Sequence, residues 1–172
     1  MKKRISVILL CVLIVGLLLS VMPWNRNISV QTTAYEYALD QEEPLRTHEV
    51  TIEGKYFYGI WRDAYFDGTF AVSGFPFSLE EPARITFGRE NGLPGMMIYR
   101  DWAGQPRSKE LSQIYGKKDF SEFALIIMKL EQEGDRIIGK WSPETGHILC
   151  TNAPDYSALQ EQCRRLGLHI PE

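Results

Sequence analysis

Residues 49–58 read Glu49-Val50-Thr51-Ile52-Glu53-Gly54-Lys55-Tyr56-Phe57-Tyr58. Val50 and Ile52 alternate with Glu49, Thr51 and Glu53, the period of two that sets one strand face on a core and the other in water. The same period recurs downstream. Phe66, Phe70 and Val72 share a face opposite Asp67, Thr69 and Ser73, and Ile85 and Phe87 alternate with Arg84 and Thr86. Residues 55–62 are aromatic on both faces, so that strand is expected to be covered on both sides. Residues 122–130 form a nearly continuous apolar run, read as a strand because the β-branched pair Ile126-Ile127 precedes a turn. Gly88-Arg89-Glu90-Asn91-Gly92 separates strands at 83–88 and 95–100, and Glu131–Asp135 separates 122–130 from Arg136–Trp141. Glycine-containing connections of this length signal hairpins. Together they predict a mainly β fold over residues 48–172, an antiparallel sandwich or small barrel.

One helix is expected at the C-terminus and packed on the sheet. Tyr156, Leu159, Cys163 and Leu166 make a single apolar stripe. Pro154 and Asp155 suit its first turn, Arg164 and Arg165 its last, and Gly167 the position just past its end.

The N-terminus sets the expected location. Lys2, Lys3 and Arg4 precede Ile5–Met22, eighteen residues without a charge. At about 1.5 Å per residue such a helix spans roughly 27 Å, close to the hydrocarbon thickness. A secretory signal peptide would have a shorter apolar core and a small-x-small cleavage site, and Ser20-Val21-Met22-Pro23-Trp24 offers none. An uncleaved N-terminal transmembrane helix is therefore expected over residues 1–24. The basic tip would lie in the cytoplasm and the remainder outside the cell membrane. Residues 25–47 are polar and lack a sustained period, so a flexible stalk is expected there. Cys11 falls within the apolar run as a small buried side chain.

The 172 residues are 44% hydrophobic and 24% charged, which excludes wholesale disorder. Net charge is −3 and pI about 5.7, leaving no electrostatic footprint for nucleic acid. Three of the 19 basic residues and none of the 22 acidic ones lie in residues 1–4, so the outer part carries −6. That charge opposes direct attraction to anionic lipids or wall polymers.

Four constellations bear on chemistry. Cys150 and Cys163 would lie in an oxidising compartment and could form a disulfide, or serve as two buried thiols. His147-Ile148-Leu149-Cys150-Thr151 followed by Arg164 and Arg165 faintly resembles a sortase, which implies a thiol nucleophile at Cys150 with His147 nearby. That family places its histidine far upstream, where this chain offers only His48, and its arginine on a strand. Asp63 and Asp67 flank a turn and could pair as the carboxylates of an envelope enzyme. Trp102, with Arg100 and Arg107, combines the residue types enriched in binding hot spots. There is no Gly-x-Ser-x-Gly, phosphate loop, dinucleotide fingerprint or Cys-x-x-Cys, and His48, His147 and His169 are too scattered for a helix-borne zinc motif. No cofactor and no metal are expected.

The anchor and the patterns Val50-x-Ile52-x-Gly54-x-Tyr56 and Phe66-x-Gly68-x-Phe70-x-Val72 resemble small single-pass envelope proteins of Gram-positive bacteria. That resemblance implies no particular activity. It favours a non-enzymatic binding or accessory module whose partner is a protein or an envelope component. The alternative is an envelope enzyme using Cys150 or Asp63 and Asp67.

Overall fold

Inward-facing apolar residues at every second position let eight strands close into one ring. A computed structural model describes residues 13, 14, 16, 24–60, 63–88, 94–100, 112–133, 136–142 and 144–170. The elements are β1 (Trp24–Ala38), β2 (Arg46–Tyr58), β3 (Tyr65–Val72), α1 (Pro76–Glu80), β4 (Ala83–Thr86), β5 (Gly95–Tyr99), β6 (Ser112–Gly116), β7 (Phe123–Ile127), β8 (Lys129–Glu133), β9 (Arg136–Lys140), β10 (His147–Thr151) and α2 (Tyr156–Leu166). Strands β1 to β7 pair in sequence order, β10 follows β7, and β10 pairs with β1, all antiparallel. The architecture is thus an up-and-down barrel, and the choice between sandwich and barrel falls to the barrel. Closure leaves no open sheet edge in the ring.

Two expectations are corrected. Residues 25–47 are not a flexible stalk. Trp24–Ala38 is the longest strand of the barrel and pairs residue by residue with β2 from Trp24↔Tyr58 to Glu36↔Arg46. Ile28, Val30 and Ala34 face the core, but Thr32 and Glu36 share their face while Tyr35 and Tyr37 face outward, which hides the period. The run 122–130 is not one strand. It breaks at Met128 into β7, a barrel strand, and β8, which pairs only with β9 in a separate hairpin. The hairpin joining β4 to β5 agrees with the sequence reading, in register Thr86↔Met96 to Ala83↔Tyr99.

The barrel interior is filled by side chains, notably Phe66, Phe70, Phe120 and Phe123 with Ile52, Ile85, Met97 and Ile114. An eight-stranded barrel is just wide enough for such filling. Gly54 and Gly68 stand opposite each other on β2 and β3, and a Cβ on either would lie 2.9 Å from the Phe66 ring. The missing side chains make room for that ring. Phe120 adopts a left-handed φ of 57° in the β6–β7 turn, which aims its ring at Phe66 at 5.1 Å and plugs that end.

A second core lies outside the wall. Tyr37, Ala124, Ile126, Ile148 and Cys150 point outward from β1, β7 and β10 and are covered by Leu159 and Cys163 of α2. This explains the unbroken apolar run in β7, which is buried on both faces. Asp155 caps α2 by accepting a hydrogen bond from Ala158 N at 2.8 Å, and Gly167 ends it at φ 80°.

Of the expected anchor over residues 1–24, Leu13, Ile14 and Gly16 are helical, Trp24 is instead the first residue of β1, and the rest lies outside the described residues. Among the described residues no helix is long and apolar enough to cross a membrane.

Candidate functional site

The alternation that fills the barrel also carries three polar residues inward at one end. On β1, Glu36 shares the inner face with Ala34; on β2, His48 shares it with Val50; on β10, His147 shares it with Leu149. Register brings them together, since β1 pairs with both β2 and β10 near its C-terminal end. Glu36 Oε2 lies 2.9 Å from His48 Nε2, and Glu36 Oε1 lies 2.9 Å from His147 Nδ1.

The hydrogen-bond inventory fixes who donates. The Ser73 carbonyl faces His48 Nδ1, and a carbonyl only accepts. The Glu36 carboxylate faces His48 Nε2. The His48 ring is thus held between a backbone carbonyl and the Glu36 carboxylate. His48 is buried and its ring packs 5.4 Å from Phe75. Gly74 turns beneath it with φ 89°, and a Cβ there would come 3.2 Å from the His48 ring. Burial raises the pKa of Glu36, but the hydrogen bonds from His147 and His48 outweigh it and hold the carboxyl below its ordinary value.

Helix α1 covers the same end. Ser78 ties it down, accepting from Val72 N at 2.9 Å and donating to Phe75 O at 2.7 Å. Beneath α1 lies a cavity of about 20 Å³ bounded by Phe75, Phe77, Met97, Tyr99, Leu125 and Leu149. Its volume is about that of one water, in a mostly apolar lining. Among the described residues no group of three His, Cys, Asp or Glu side chains is arranged to hold a metal ion.

Among the described residues, those singled out in the sequence are not gathered into one site. Cys150 and Cys163 are free thiols, both buried between barrel and helix. Hydrogen bonding with Cys163 and burial push the Cys150 thiol far above its ordinary pKa. A thiol held protonated out of solvent lacks the exposure and thiolate character of a nucleophile. His147 points into the barrel end while Cys150 points outward beneath α2, so the two do not form a dyad. Asp67 is paired with Arg84 on the outer wall, and that guanidinium also lies 4.9 Å over Tyr65. Asp63 sits in the β2–β3 connection. Arg100 follows β5 and donates its backbone N–H to Pro82 O at 2.9 Å. Trp102 and Arg107 lie outside the described residues.

Glu36 carried no motif in the sequence. The available signal was the period of two through Ile28, Val30, Thr32 and Ala34, which continues to Glu36 and would have marked a carboxylate on an inward face. No family model matches the chain, and neither the curated proteins nor the solved structures contain a match to it.

Proposed function

We propose that the chain is a membrane-anchored extracytoplasmic barrel that binds a protein or envelope component on its outer surface and is not an enzyme. The observation that carries this reading is the filled interior. Aromatic side chains occupy the space where barrels of this size otherwise hold a small ligand. Binding then falls to the loops, to α1 and to the outer wall. The charge-free run Ile5–Met22 behind Lys2, Lys3 and Arg4 supports the anchor and its direction. The engaged state of Asp67 and the protonated, buried Cys150 support the absence of thiol or paired-carboxylate chemistry.

The test is photocrosslinking in the native host. A photoreactive residue replaces exposed Leu45 or Leu79 at the α1 end of the full chain. A discrete adduct with one envelope component is expected. Turnover of an envelope substrate by the purified chain, abolished by Cys150→Ser or Asp67→Asn, would overturn the reading.

A further inference from the structure

We infer that the barrel end carrying Trp24, Tyr58 and Ile60 rests on the lipid bilayer, with the Glu36–His48–His147 end pointing away from it. The inference builds on the anchor reading above. It follows from where β1 starts. Met22, the last residue of the apolar run, stands two positions before Trp24, and Trp24 is already paired with Tyr58 in the barrel wall. No tether separates the two, so a membrane-spanning segment ending at Met22 delivers this end of the barrel to the headgroup level.

The surface there fits that place. Ile60 is 60% exposed, Trp24 43% and Tyr58 41%, and Trp24 packs edge-on against Tyr58 at 5.8 Å. Trp and Tyr are the side chains enriched at membrane interfaces, where one part of the ring is apolar and the other wet. Among the described residues the charges nearby are of both signs, Arg26, Lys117 and Lys118 with Asp63, Asp119 and Glu122. The contact rests on burial of these aromatic and aliphatic side chains. Phe120 plugs this end, so lipid meets a closed surface.

The strand also measures how far the other end stands off. Glu36 lies twelve residues along β1 from Trp24. At about 3.3 Å per residue and a barrel tilt of about 40°, Glu36 sits roughly 30 Å above the headgroups. Helix α1 and the β1–β2 connection are presented at that height.

The experiment uses the full chain in phosphatidylcholine vesicles, with Cys11→Ser to leave only the two buried native thiols. An environment-sensitive dye is attached at Ile60→Cys or Tyr58→Cys, and in parallel at Leu79→Cys or Leu45→Cys on the opposite end. Iodide quenching is expected to be severalfold weaker at 60 and 58 than at 79 and 45, with a blue-shifted emission. Equal quenching at both ends in a chain that resists alkaline carbonate extraction would overturn the orientation and leave the anchor intact. Release by carbonate would overturn the anchor and the orientation with it. Protection at 60 that grows with the protein-to-lipid ratio would assign this face to a second copy of the chain, and so also overturn it.

Discussion

Replacing Glu36 by Ala removes the acceptor shared by His48 and His147. The His48 side chain is only 5% exposed, so its Nε2 loses its partner without gaining water. Breaking a fully buried charged pair by removing one member costs roughly 3–5 kcal/mol. Here the Glu36 side chain is 12% exposed and that of His147 33%, so water repairs part of the loss. The expected cost is about 2–3 kcal/mol. For a domain of this size that lowers Tm by roughly 5–10 °C. Glu36→Gln keeps one carbonyl acceptor but turns an amide N–H toward the other histidine, and is expected to lose about half as much. The assay is thermal unfolding of the full chain in detergent across pH. The folded pKa of Glu36 lies below its ordinary value of 4.5, so its contribution is complete above about pH 4.5 and fades as pH falls through the folded value. The wild-type and Glu36→Ala curves should therefore differ at pH 7 and converge in acid. Equal Tm values at pH 7, or a difference undiminished well below pH 4.5, would refute the linked-histidine account.

Gly68→Ala would place a Cβ 2.6 Å from the Gly54 Cα, a clash with backbone that no rotamer relieves, and is expected to cost about 3 kcal/mol in a melt. Gly59→Ala, with nothing within 4 Å, serves as the neutral control. Leu159, completely buried between α2 and the wall, should cost roughly 2–5 kcal/mol on truncation to Ala, and an unchanged transition would contradict the packing of the helix on the barrel. Native Cys150 and Cys163 should resist iodoacetamide at pH 8 and react only after denaturation; fast labelling of the folded chain would contradict their burial.

The sequence was most legible where one face of an element is wet. The alternation at 49–53, 66–73 and 84–87 marked β2, β3 and β4, and the stripe through Leu159 and Cys163 marked α2 down to the glycine that ends it. It was least legible where that contrast fails. Strand β7 is covered by the barrel core on one side and α2 on the other, so its period disappears and its end at Ile127 merges with β8. Strand β1 fails in the opposite way, with inward Thr32 and Glu36 as polar as its outer face. The histidine–carboxylate cluster escaped for a topological reason. Glu36 and His147 stand 111 residues apart and meet only because β1 and β10 form the seam.

That seam governs when the fold can exist at all. The β1–β2 hairpin is available as soon as residue 58 has been synthesised, but β1 keeps a bare hydrogen-bonding flank until β10 arrives. Pairing across so long a stretch of chain is slow, because the loop must be closed before its contacts repay the ordering. A nascent or prematurely ended chain that stops before Thr151 therefore carries two unsealed flanks, on β1 and β7, both open to another copy. The last strand acts as a clasp, so truncation of even the final quarter of the chain should yield aggregation instead of a smaller barrel.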